Sequence, residues 1–145
     1  MTSDRMARGY LSLAVVRADA LEVFVKARSW PTVVREAQEA VELFLKAALR
    51  HVGVESVRVH DVASVLAENA SRFPDWFAAR VPDLAAISTE LAGARGVSFY
   101  GDERMGIPPD QLFERKDAER AIEQAAFVRG LCTKLVEENA SVGAT

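Results

Sequence analysis

Residues Arg35–Gly53, "REAQEAVELFLKAALRHVG", decide the fold. Apolar residues return every three or four positions: Ala37, Val41, Phe44, Leu45, Ala48 and Leu49, with Val34 before them and Val52 at the end. That is the period of an α-helix with one face turned to a core. Gly53 follows, and glycine takes the left-handed conformation that closes a helix. Upstream, Pro31 suits a first helical turn, where its missing N–H costs nothing. A helix over about 31–52 is therefore expected. Glu39, Glu42 and Lys46 form a polar line along it. Glu42 and Lys46 stand four apart with the acid first, the favourable order for a surface ion pair.

Toward the N-terminus, Leu11, Ala14, Val15, Ala18, Leu21 and Val25 make the stripe of a first helix ending near Arg28, ahead of "SWP". Two long helices with so short a connection predict an antiparallel hairpin. Toward the C-terminus, the loop "VESVRV" (54–59) leads into a short third helix within "HDVASVLAENASRF" (60–73). Asp61 belongs in its first turn, where the helix dipole favours negative charge. Pro74 and Pro82 bracket "DWFAARV", a turn or an extra helical turn. A fourth helix runs from Leu84 through Ile87, Leu91 and Ala94 toward Phe99. Glycines and prolines make 101–113 a loop. The last helix, from about Asp117 to Glu138, carries Ala121, Ile122, Ala125, Val128, Cys132 and Leu135 on its stripe. With no sustained alternation and no internal repeat, the expected fold is all-α: an up-and-down bundle of about five helices. One domain over residues 1–140 is expected, with a frayed tail at 141–145.

With 145 residues, half of them hydrophobic and 27% charged, the chain has the balance of a globular domain with a proper core. The lone Cys132 cannot close an intramolecular disulfide, and no cluster suggests a metal site, so neither metal nor cofactor is expected. The N-terminal apolar run is interrupted by Arg17, Asp19 and Glu22. It is neither a secretory segment nor a membrane span, which needs roughly twenty apolar residues. A cytoplasmic location is expected. The net charge of −3 argues against a broad, sequence-blind grip on nucleic acid but leaves room for a local basic groove.

The stretch "LAGARGVSFYGDE" (91–103) concentrates polar chemistry at the end of a helix. Arg95, four residues after Leu91, shares its inward edge. Such an arginine either pairs with an acid on a neighbouring helix or across a dimer, or offers its fork to a phosphate. Tyr100, Asp102 and Glu103 follow; acids at a helix C-terminus oppose the dipole, so helix stabilisation does not explain them. They read as a solvated loop, as partners of Arg104 or Lys116, or as part of a site. His60 with Asp61 opens a helix or contacts a ligand. His51, when protonated, suits the negative end of the second helix. Trp30, Phe73, Trp76 and Phe77 read mainly as core or interface packing.

"REAQEAVELFLKAALRHVGVESVRVHDVASVL" followed by "ARGVSFYGDERMGIPPDQLFERKDAERAIEQA" resembles the HEPN family of prokaryotic helical domains. The resemblance rests on an alanine-rich helix with a Lys-Ala pair, a glycine, a His-Asp pair, an Arg…Tyr-Gly-Asp-Glu segment, a proline loop and a last alanine-rich helix. It implies a helical bundle that pairs as a homodimer and binds a nucleotide or RNA. Many members accompany a minimal nucleotidyltransferase in toxin–antitoxin-type modules, which makes such a protein an expected partner and the Tyr100 hydroxyl a group for it to modify. Carried onto this chain, the resemblance assigns binding to Arg95, Tyr100, Asp102, Glu103, Lys46 and His60. Ribonuclease members use Arg-x4–6-His, and here Tyr100 stands where that histidine would. Cleavage needs groups that move protons near neutral pH, which histidine does and an ordinary tyrosine does not. Three readings follow: a dimeric nucleotide- or RNA-binding protein; a metal-independent endoribonuclease using Arg95 with Tyr100 or His60; or a dimerisation scaffold.

Overall fold

The computed structural model describes residues 2–55 and 58–143. Its helices are α1 (Thr2–Lys26), α2 (Trp30–His51), α3 (Ala63–Glu68), α4 (Asp75–Ala78), α5 (Val81–Tyr100) and α6 (Arg115–Gly143), with 3-10 turns at Ala70–Arg72 and Pro109–Gln111. The five expected helices are present, and "DWFAARV" supplies the extra turn, α4. Positions 56 and 57 of the expected loop lie outside the described residues, as do 144 and 145 of the expected tail; α6 continues to Gly143.

α2 is the central element and packs against α1, α5 and α6. Its buried arc is wider than the stripe read from sequence, because Val33, Ala40 and Ala47 join it. At 100° per residue these positions widen the apolar face to about 200°, enough to meet several helices at once. The alanines let neighbouring helices approach closely. Phe44, Leu45 and Leu49 are fully buried and meet Leu66, Phe77 and Leu84 in one core. Phe73 stacks on Phe77 at 4.5 Å, and Trp76 meets Phe77 edge-on at 5.8 Å, so these aromatics are packing, as expected. Burial also pushes up the pKa of the Cys132 thiol and leaves it inert.

The α5 terminus is set by Gly101, whose φ of 75° and ψ of −161° are accessible essentially only to glycine. An added Cβ would collide with the Ile107 carbonyl, which accepts the Asp102 N–H at 2.8 Å in the antiparallel Asp102–Ile107 bridge. Gly101→Ala is expected to cost about 2 kcal/mol or more, read from urea unfolding, because strain and clash add.

The core face of α1 carries Ala7, Leu11, Ala14 and Leu21. Roughly opposite runs a second apolar stripe, Met6, Gly9, Leu13, Val16, Ala20, Val23 and Ala27, spaced alternately three and four residues. Leu13, Val16 and Val23 are 56, 67 and 64% exposed. Scattered exposed apolar residues are ordinary, but this stripe keeps a heptad register over about six turns.

Candidate functional site

Along α2, Arg35, Gln38, Glu39, Glu42 and Lys46 fall on one face at helical spacing, beside the buried arc. α5 presents Arg95 to that face, and the segment before α3 brings His60 to its far end. The result is a connected polar seam. Nη1 of Arg95 donates to Oε1 of Gln38 at 2.6 Å and to Oε1 of Glu39. Nε2 of Gln38 donates to Oε1 of Glu42 at 2.9 Å. Glu42 then accepts from Nζ of Lys46 at 2.9 Å and faces Nδ1 of His60 at 2.8 Å. Nε of Arg35 lies 3.3 Å from Oε1 of Glu39, and its guanidinium covers the Phe99 ring at 4.9 Å.

Gln38 is the pivot. It is 2% exposed, and its amide has opposite ends, so the carbonyl takes Arg95 while the NH2 reaches Glu42. Leaving either end unpaired in so dry a place would cost about 1–3 kcal/mol. Glu42 and Lys46 do pair, but not on the surface: their side chains are 12 and 13% exposed because α5 and the His60 segment cover that side of α2. Burial alone would raise the Glu42 pKa, yet hydrogen bonds from Lys46, Gln38 and His60 overcome it and hold the carboxyl below its ordinary 4.5.

That shift carries a pH signature. The Glu42 pKa is lowered by folding, so its stabilisation is complete above pH 4.5 and is lost as pH falls through the folded value. Chemical unfolding from about pH 6 to pH 3 should show a flatter acid decline in Glu42→Gln than in the parent. Equal slopes would mean that Glu42 is not held as described.

Arg95 has the acidic neighbour expected of a buried-edge arginine, yet Nη1 makes both of its side-chain bonds. Among the described residues, Nε and Nη2 have no hydrogen-bond partner, and about a fifth of the side chain is exposed. The free edge of the fork is the geometry that grips two oxygens of a phosphate. Three permanent cations (Arg35, Lys46, Arg95) face two carboxylates (Glu39, Glu42), so the seam carries a net positive charge even with His60 neutral.

Tyr100, Asp102 and Glu103 lie elsewhere. Five residues along a helix turn a side chain about 140° away, so Tyr100 does not stand beside Arg95. It is 63% exposed, meets Phe99 edge-on at 4.6 Å, and lines a cavity of about 430 Å³ with Val97, Asp102, Glu103 and Arg104. One carboxylate oxygen of Asp102 accepts the Met105 N–H at 3.1 Å, which closes the turn and gives this acid a local structural task. Neither Asp102 nor Glu103 pairs with Arg104 or Lys116; Lys116 lies 3.3 Å from Glu114. Asp61 precedes α3 instead of entering its first turn, and its Oδ1 accepts the Ala63 N–H and the Ser88 hydroxyl. Burial lowers the His51 pKa despite Asp4 at 3.9 Å, opposing the protonated role expected at the end of α2. Sequence reasoning missed Arg35 and Gln38. Their signal was phase: both continue the Glu39–Glu42–Lys46 line.

No group of three or more potential metal ligands occurs among the described residues, and no helix is long and apolar enough to cross a membrane. The fold and seam define an all-α helical bundle whose main polar site runs between a central helix and its neighbour. A family model for the HEPN domain matches residues 7–136, nearly the whole chain, and the protein belongs to the HEPN domain family. No curated protein and no solved structure matches the chain.

Proposed function

We propose that this protein is a dimeric HEPN nucleotide- or RNA-binding protein whose phosphate-binding group is Arg95, supported by Lys46 and His60 along the same seam. The observation that carries the proposal is the divided guanidinium: one nitrogen is fixed by Gln38 and Glu39 while the other edge is free. Fixing an arginine in advance lowers the entropy lost on binding an anion. Tyr100, Asp102 and Glu103 then serve as an outer contact for the ribose or base, with the exposed phenol available for stacking. A nucleotidyltransferase partner, in a toxin–antitoxin-type module, belongs to the same reading; Tyr100 is the hydroxyl it would modify, and intact mass after co-expression reads that directly.

Endoribonuclease activity is the second reading, favoured by His60, whose ring is oriented by a carboxylate as a general base requires. Cleavage also needs an acid for the departing 5′ oxygen, and the seam holds no second histidine. The deciding experiment titrates ATP, GTP and a short RNA, then incubates labelled RNA with excess protein in a chelator. Binding without cleavage supports the first reading. Cleavage lost in both Arg95→Ala and His60→Ala supports the second. Neither binding nor cleavage leaves the seam a structural brace.

For the dimer seam we propose the heptad stripe of α1 set against the same stripe of a second copy. A two-fold axis brings identical surfaces together, and a straight apolar helix face is self-complementary. The small Gly9, Ala20 and Ala27 let the helix axes approach while Leu13, Val16 and Val23 fill the space between.

A further inference from the structure

The connection between α1 and α2 contains a conformation that its sequence does not favour. α1 ends in a two-bond cap: the Ser29 N–H reaches the Phe24 carbonyl at 3.0 Å and the Arg28 N–H reaches that of Val25 at 2.9 Å. This cap places the residue at position 28 in the left-handed region, where glycine is usual. Arg28 occupies it with φ 57°, the one non-glycine with positive φ among the described residues. An arginine there is less stable than glycine would be, and strain retained against an easy remedy directs attention to what the side chain does.

Arg28 lines a cavity of about 400 Å³ between the end of α1 and the start of α6. Val25 and Ile122 form its apolar part, Trp30 stands at one side, and Lys26 and Arg115 add two more cations; Glu119 is the one carboxylate in its wall. The Arg115 guanidinium lies over the Trp30 ring at 5.2 Å. Among the described residues neither Arg28 nor Arg115 has a carboxylate within 4.0 Å, and Lys26 has only the exposed Glu22 at 3.7 Å. Past Val25 and Ile122 the groove opens into a second cavity of about 400 Å³ whose wall combines Leu21 and Ala126 with Asp19, Glu22 and Arg129. Two guanidiniums without a carboxylate partner, set beside an indole and the apolar Val25 and Ile122, fit a ligand with an anionic head and a flat apolar body.

We propose that this corner is a second ligand site, separate from the Arg95 seam, for a small phosphate ester carrying an apolar ring. Arg28 and Arg115 take the phosphate, Lys26 adds charge at the rim, and the ring lies along Val25, Ile122 and Trp30. The site shares no residue with the seam, so it stands whatever the seam binds.

Phenyl phosphate is the probe. Trp30 and Trp76 are the two tryptophans, so Trp76→Phe makes Trp30 the sole indole reporter. Phenyl phosphate should change Trp30 emission saturably; inorganic phosphate should compete more weakly, and benzyl alcohol should do nothing. Arg28→Gly in that background should move stability and affinity in opposite directions. Its melting temperature should rise by about 3 °C as the left-handed residue becomes glycine, while phenyl phosphate binding weakens about tenfold. Arg115→Leu should weaken binding similarly without the rise. Arg95→Ala, placed in the same background, should leave this titration unchanged. An unresponsive Trp30, equal response to benzyl alcohol, or undiminished affinity in Arg28→Gly overturns the proposal.

Discussion

Arg95→Ala is expected to lose nucleotide or RNA affinity by about tenfold or more and, separately, to lose about 1–3 kcal/mol of stability. The affinity loss is that of a charge-assisted, two-point phosphate contact. The stability loss comes from what remains behind: the Gln38 carbonyl, on a residue 2% exposed, and a Glu39 carboxylate left with Arg35 alone. Arg95→Lys separates the two effects. An ammonium can hold Glu39 but cannot present a planar free edge, so stability should largely recover while affinity does not. Calorimetric titration beside urea unfolding reads both quantities on the same preparations. If Arg95→Lys binds like the parent, positive charge alone matters and the fork geometry does not. If Arg95→Ala binds like the parent, the seam is not the site.

The second large effect concerns assembly. Leu13→Lys with Val16→Lys should turn a dimer into monomers, shifting the dissociation constant by at least about a hundredfold. Both positions are more than half exposed in the single chain, so the substitutions should barely alter the monomer's own stability. Across a two-fold seam they would bury four like charges among apolar side chains. Burying the half-exposed Met6, Leu13, Val16 and Val23 of both copies is worth on the order of 10 kcal/mol. Association offsets much of this through lost freedom, so the stripe alone supports a weak dimer, with a dissociation constant of about a millimolar, not a permanent one. Sedimentation across that concentration range is the measurement. A parent that stays monomeric throughout, or a double variant that stays dimeric, removes the α1 seam.

Much of the architecture was legible in the chain itself. The 3.6-residue period in Ala37–Leu49, Pro31 before it and Gly53 after it mark α2 with no reference to anything distant. Helix periodicity and caps are local properties, set within a turn or two of backbone. The hairpin follows from two such helices and a connection too short for any other path. The resemblance in the Lys-Ala, His-Asp and Tyr-Gly-Asp-Glu segments named the family that the matched model establishes.

The arrangement of the candidate site was only half legible. Arg95, Lys46 and His60 were identifiable by chemistry, and the structure joins them, but through Gln38 and Glu42. Arg95 and Gln38 are 57 positions apart in the chain, and no local rule connects them. Conversely, Arg95 and Tyr100 are neighbours on paper and separate in space, because five residues of α-helix rotate a side chain away from its predecessor. The heptad on α1 was also written in the sequence, but a stripe of residues does not reveal whether another helix of the same chain covers it. Local sequence determined which segments are helical and which faces are apolar. The packing of α1, α5 and α6 around α2 decided which polar groups were forced together and which apolar face was left uncovered, since those outcomes depend on where distant helices cross.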